Sequence, residues 1–547
     1  MTAAADPEIA APRLGSPADE VVAGADTGRI AELGAVAIAM AVGAFVRLVP
    51  VVASRFPLND GGLFTSMIED VRRTGVPIPT TTSYNGASIP FAYPPLAFDA
   101  AALGTLVPGV DATTLVWLVP AVISVLTVPA LYLLAREILS TRFHAFVATL
   151  AFALVPRSFE WLVMGGGITR APGLLLAMLA VWAALRAVRG RSVRAAIATG
   201  VLAGLAGLTH PQSVEFVAIA VVAIAVAECR SWRQVTLLAV SAAIGAALVL
   251  PWVVVVLSAH GPGPLLSAGS VGADPVHSLY FLFAFDLTDE AFSRPVAILG
   301  LIGLLFELSR RRWLLPAWLV LLVLIDPHNA ATTTMVPMSM LAAVGVVDVL
   351  VERLAPGATR FDVRSVWPPP VVHRRGIEAL LVALLVAAVA GALAMPVTPG
   401  WAVAVPADAR AAMRWVADET PADASFIVVS GRPWFADATA EWFPVLADRT
   451  SVASVQGSEW LGRDAWTARL AAAGDLATCA TLTVTCLDAW RREHGDATYV
   501  FVPKGGVAGL GGPTDCCIPL RETMGASSGY EIVYDGPGAT IARIEAP

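Results

Sequence analysis

Runs of mostly apolar residues recur through the first 396 positions, as in Ala35–Ala53, Val235–Ser258 and Ile377–Met395. A hydrocarbon core of about 30 Å takes roughly 20 such residues in a helix, because every backbone polar group must bond internally. A chain built this way has few options besides a bundle of membrane helices. Composition agrees: 56% of residues are hydrophobic and 14% charged, against about 25% charged in an ordinary soluble domain. The net charge of −7 is scattered, with no basic stripe to follow a nucleic-acid backbone, so a nucleic-acid partner is excluded.

Candidate spans fall at about 30–53, 112–135, 143–160, 171–188, 195–209, 213–228, 235–258, 295–309, 313–325, 331–352 and 376–396. That is about 11 spans, or 12 to 13 if weaker segments cross. The stretch 94–108 is barely long enough and carries Asp99. An acid inside a span is costly, so this stretch reads as a juxtamembrane or re-entrant helix. Arginine clusters at Arg136/Arg142, Arg186–Arg194, Arg230/Arg233, Arg310–Arg312 and Arg374/Arg375 fit one topology under the positive-inside rule. The N-terminus is then cytoplasmic, and loops 54–93, 157–170, 209–212, 259–293 and 326–329 lie outside, with the C-terminal domain. Residues 1–29, rich in Ala, Pro and acids, read as a disordered cytoplasmic tail.

From about residue 397 the pattern changes. β-rich runs such as Ser425–Ser430 and Thr498–Val502 alternate with helical ones such as Ala407–Val416. Residues 397–547 therefore read as an extracytoplasmic α/β domain. Cys479, Cys486, Cys516 and Cys517 all fall there. Four cysteines in one polar module fit disulfides of an oxidising compartment better than free thiols. The fold expected is mainly α: a polytopic helical bundle, residues 30–396, with this domain attached. The expected location is a bacterial inner membrane.

Polar residues at external membrane edges are the candidates for chemistry. Asp60, in Asn59-Asp60-Gly61-Gly62, precedes a helical run from Leu63 to Val71. It reads either as that helix's N-cap or as a general base or metal ligand at the bilayer surface. Tyr93, ahead of two prolines, is an interfacial anchor or part of a sugar site. Glu160 and Arg170 flank Gly165-Gly166-Gly167, and they form an interfacial ion pair unless Arg170 grips a lipid phosphate. His210 and Glu215 mark the next edge. His260, Asp274, His277, Asp286, Asp289, Glu290, Asp326, His328 and Asn329 match no metal motif and read as solvated loop. In the C-terminal domain, Arg432, Trp434, Glu441, Trp442, Arg449, Gln456, Glu459 and Trp460 are the residue types that contact sugars, or else they are core.

Three features together resemble the GT-C glycosyltransferases, among them the protein mannosyltransferases and lipid A aminoarabinose transferases. These are the first span, an external loop with an acid, and the Tyr93-Pro94-Pro95-Leu96 lead into the next helix. The resemblance covers the layout of roughly residues 30–210. It implies a polyprenyl-phosphate-linked sugar donor, a glycan, lipid or protein acceptor, and catalysis by an acid in the first external loop. Asp60 is then the general base of an inverting transfer. The family often has an acidic pair there, whereas this chain has Asn59-Asp60. A divalent metal remains an option with one acid fewer to hold it. The competing expectations are a transporter or polysaccharide-export component, and an inactive relative that binds lipid-linked glycan.

Overall fold

The computed structural model describes residues 17–75, 78–270, 294–326, 330–354, 402–507 and 514–545, and scattered helical residues within 379–390. Helix α1 spans Pro17–Ser54. It starts inside the segment expected to be a disordered tail, where proline suits a first turn and the alanines and acids that follow favour helix.

Helices α2 (Gly62–Thr74) and α3 (Leu96–Gly104) follow. At nine residues, or about 14 Å at 1.5 Å per residue, α3 is too short to cross. The bundle continues with α4 (Ala112–Ile138), α5 (Arg142–Leu154), α6 (Gly167–Gly190), α7 (Val193–Thr209), α8 (Pro211–Glu228) and α9 (Trp232–His260). Among the described residues, five helices are long and apolar enough to span: Arg29–Ser54 of α1, and α4, α6, α8 and α9. Five more described helices are apolar but shorter, namely α5, α7, Pro295–Ser309, Leu314–Ile325 and Met335–Val351. The run expected over 143–160 ends at Leu154 because Pro156 disfavours helix in the residue before it. The expected span 376–396 lies mostly outside the described residues, as do 271–293 and 327–329.

Arg47, the charge that interrupts the first apolar run, is fully buried. Its guanidinium donates to Ser124 Oγ of α4 (3.2 Å) and to the Ala153 carbonyl of α5 (2.6 Å), and it lies 4.3 Å from the Phe159 ring. A cation inside the bilayer is tolerable when it faces the bundle interior and its donors are bonded. Here it also ties three helices together.

The C-terminal domain opens with α10 (Ala407–Glu419). Its five-stranded sheet has the order β2-β1-β3-β7-β6. The strands are β1 (Ser425–Val428), β2 (Thr450–Ser451), β3 (Tyr499–Pro503), β6 (Tyr530–Asp535) and β7 (Ala539–Ile544); β4 (Gly506–Val507) and β5 (Thr514–Asp515) form a separate pair. β1 runs parallel to β2 and β3, and β7 antiparallel to β3 and β6. β1 and β3 fall on the β-rich runs expected at Ser425–Ser430 and Thr498–Val502, while β6 and β7 are not among the strands expected. Helices α11 (Ala438–Leu446) and α12 (Arg463–Cys479) cover the sheet. The four cysteines pair as Cys479–Cys486 and Cys516–Cys517, and Cys229 is free.

The domain is packed onto the first loop. Leu63, Phe64 and Met67 of α2 share a core with Phe98, Trp442, Phe443 and Trp460. Leu58 forms an antiparallel bridge with Ala404, and the Asn85 side chain makes two hydrogen bonds to the Ser451 backbone.

Candidate active site

Asp60 is buried between the first loop and α6. It is not the cap of α2. That place belongs to Gly61, and no residue next to it in sequence supplies a side-chain cap. The cap comes from the other end of the chain. Glu441 of α11 accepts from the backbone N–H of Gly61 (3.0 Å) and Gly62 (3.1 Å) through Oε2, and from Leu63 (3.2 Å) through Oε1. Three of the four unpaired N–H groups that begin a helix are satisfied across 378 to 380 residues of sequence. Burial, then the nearby Asp60 carboxylate, push the Glu441 acid up to about 8, against the pull of those N–H groups.

The Asp60 carboxylate is left free to face α6. Oδ1 accepts from the Gly166 N–H at 2.9 Å, and Oδ2 accepts from Arg170 Nη2 at 2.8 Å. The glycine run makes this approach possible. A Cβ on Gly166 would lie 2.5 Å from Asp60 Oδ2 and 2.7 Å from Arg170 Nη2, and one on Gly165 would lie 1.8 Å from the Asp60 carbonyl. Arg170 also donates to the Trp161 carbonyl (3.3 Å) and lies 5.5 Å from that indole. The guanidinium expected to pair with Glu160 is thus engaged by Asp60; Glu160 is fully buried in the short helix Glu160–Val163.

Tyr93 adjoins this pair, its ring 5.1 Å from Trp460 and 6.3 Å from His210. Burial pushes its phenol well up, while the Arg170 charge acts the other way. Glu459, half-buried, interacts electrostatically with Arg170 and Tyr93. Burial pushes its acid up to about 7. The fold therefore brings Asp60, Tyr93, Arg170, His210, Glu459 and Trp460 into one neighbourhood, assembled from five separate stretches of sequence. Glu215 is not part of it. Half-buried in α8, it makes no hydrogen bond or ion pair among the described residues.

Several expected sugar contacts prove to be braces. Trp442 is fully buried, and its indole N–H donates to the Asn59 carbonyl at 3.0 Å. The Asn59 amide donates to the Phe435 carbonyl at 2.9 Å. Gly61, at φ +149, leaves no room for a Cβ, which would meet Trp442 at 2.5 Å. Buried Arg449 donates to Thr420 Oγ1 (3.1 Å) and to the Ala417 carbonyl (2.9 Å), closing the end of α10. Trp442 and Asn59 lack exposed surface because the domain seats its apolar face on the first loop and α2, and Arg449 because it folds over the end of α10. Arg432, Trp434 and Gln456 instead line a cleft within the C-terminal domain. Sequence reasoning missed Tyr84, whose hydroxyl donates to the Glu441 carbonyl at 2.7 Å; nothing in its local pattern marks it.

No group of three or more His, Cys, Asp or Glu side chains that could hold a metal occurs among the described residues. Beside Asp60 stands the Arg170 guanidinium.

Residues 92–255 match the family of dolichyl-phosphate-mannose-protein mannosyltransferases. The matched stretch includes Tyr93, Arg170 and His210 and begins after Asp60. A search of curated protein sequences finds no match. Among solved structures, the archaeal oligosaccharyltransferase AglB from Archaeoglobus fulgidus, in complex with an inhibitory peptide and a dolichol-phosphate, aligns at TM-score 0.57 and 14% identity, over 86% of this chain and 69% of its own. The mycobacterial arabinofuranosyltransferase AftD aligns at 0.56 and 18%, over 94% of this chain and 40% of its own. ArnT from Cupriavidus metallidurans bound to undecaprenyl phosphate aligns at 0.50 and 14%, over 93% of this chain and 98% of its own. All three share one membrane fold with this chain.

Proposed function

We propose that this chain, which has the fold of the GT-C superfamily of membrane glycosyltransferases, moves a sugar from a polyprenyl-phosphate donor to an acceptor hydroxyl. The observation that carries the reading is the Asp60 carboxylate, buried beside Arg170 with about 11% of its side chain still exposed, where the first loop, α6 and the C-terminal domain meet. The lipid phosphates bound to AglB and ArnT support that class of donor. Two disulfides in the C-terminal domain support an extracytoplasmic face, since such bonds persist in oxidising compartments. The location that fits is a bacterial inner membrane with the N-terminus inside.

In this reading the donor enters sideways from lipid and its phosphate competes with Asp60 for Arg170. A guanidinium has five N–H donors in a planar fork, so one arm can hold Asp60 while another takes a phosphate oxygen. His210, beside Tyr93, lies near enough to the pair to help hold that phosphate. Each carboxylate oxygen of Asp60 keeps a second lone pair, and one of the two takes the acceptor's proton. The acceptor oxygen attacks the anomeric carbon as the bond to phosphate breaks, inverting configuration. The leaving phosphate carries away the bonding pair, with Arg170 balancing its charge.

The test is Asp60→Asn in purified full-length protein, offered a panel of polyprenyl-phosphate sugars. Loss of a general base costs roughly 10²–10⁴-fold in rate. Transfer should fall by that much, with donor binding retained. Turnover close to the unaltered protein would remove Asp60 from the mechanism. No donor consumed by the unaltered protein would remove the transferase reading itself.

A further inference from the structure

The C-terminal domain holds a cleft lined in part by Glu441. Ser430, Arg432, Trp434, Asp437, Glu441 and Gln456 supply its polar and aromatic lining, around about 470 Å³ of empty space, counting the part open to solvent. Trp434 is half-buried, and Trp466 meets it edge-on, 5.0 Å away at 89°. That contact fixes the plane of the indole while leaving part of it open. The Gln456 amide is half-buried and makes no hydrogen bond among the described residues, so two donors and an acceptor remain.

The charges nearly cancel. Asp437 is buried, accepts from Ser430 Oγ and from the Ala440 N–H, and interacts with the Arg432 guanidinium. A phosphate would meet one cation already facing carboxylates. An acyl chain would meet a polar lining. A neutral ring with an apolar C–H face and a rim of hydroxyls suits both the indole and the unspent amide.

We propose that this cleft is the acceptor subsite and that the acceptor is a neutral glycan chain. One sugar ring lies on Trp434, with hydroxyls bonded to Gln456 and Arg432. The proposal rests on the transferase reading. Its geometric support is Glu441, which lines the cleft and also binds the loop that presents Asp60.

The experiment uses full-length protein in detergent without donor. Short neutral oligosaccharides (mannan, arabinan and galactan fragments) and a serine-containing peptide are titrated by saturation-transfer NMR. Wild type is compared with Trp434→Ala and Gln456→Ala, each checked for an unchanged unfolding temperature. We expect at least one oligosaccharide to bind, each variant to weaken it about tenfold or more, and the peptide not to bind. In transfer assays the same variants raise KM for that oligosaccharide and leave kcat within twofold. Absence of saccharide binding, equal binding by the variants, or peptide binding sensitive to Trp434 would overturn the proposal. Glycan binding without any donor consumption would sink the transferase reading and spare the cleft; transfer with KM insensitive to Trp434 would do the reverse.

Discussion

Replacing Glu441 with alanine tests the joint between the two halves of the protein. The change strips acceptors from three backbone N–H groups at the start of α2, bonded now at 3.0, 3.1 and 3.2 Å. A buried donor left unpaired costs about 1–3 kcal/mol. Three would cost several times that, but the variant also relieves a carboxyl buried near Asp60, and water can enter the gap. A net loss of about 2–4 kcal/mol remains, which is roughly 30- to 700-fold in an opening equilibrium. Hydrogen exchange at Gly61, Gly62 and Leu63 reads this directly, and turnover should fall with it as Asp60 loses its support.

Glutamine at 441 keeps an acceptor and cannot ionise. The folded protein holds the Glu441 proton up to about 8, against an ordinary 4.5. Its contribution is therefore complete below about 4.5 and is lost as pH rises through about 8. Wild type and Glu441→Gln should exchange alike near pH 5, and wild type faster than the glutamine variant at pH 9. If Glu441→Ala leaves exchange at residues 61–63 and turnover within twofold of wild type, the capping argument is wrong.

Three further outcomes are expected. Gly166→Ala drives a methyl into both members of the Asp60–Arg170 pair; a displacement of about 1 Å at such a site costs on the order of 10²-fold, so turnover collapses while membrane insertion, followed by size-exclusion chromatography, is unchanged. Arg170→Lys keeps the charge and loses the planar fork, which should raise the donor KM about tenfold or more; an unaltered KM would free Arg170 from any donor role. Glu459, held up to about 7 by burial, is protonated below that pH and charged above it. Activity should change limb near pH 7 in wild type, and Glu459→Gln should flatten that limb in a pH–rate profile.

The membrane class and the α/β domain were legible because both rest on local pattern. The runs around Val235–Ser258 and the strands at 425–428 and 499–503 carry their periodicity in a few consecutive residues. Asp60 and Arg170 were legible as candidates because charged residues are few at the edges read as external. Their partnership was not, because Gly166 permits it through space it leaves empty. The bracing roles of Glu441, Trp442 and Arg449 were not legible for a related reason. Residue type marks a side chain able to meet a sugar, but only the packing of the domain, on α2 for Glu441 and Trp442 and on α10 for Arg449, shows that backbone groups already occupy it. The first helix was misplaced at its start because charge and alanine content suit a tail and a helix equally.

The cap that α2 receives from Glu441 also constrains how the protein is made. Synthesis delivers the first loop long before α11 exists, so the segment bearing Asp60 is made with the opening N–H groups of α2 bare. It acquires its final form only when the C-terminal domain has folded and closed over it. A nascent chain halted before α11 would carry helices α1 to α9 and still lack the cap that orders the Asp60 segment. A distant helix acts as the keystone of the first loop.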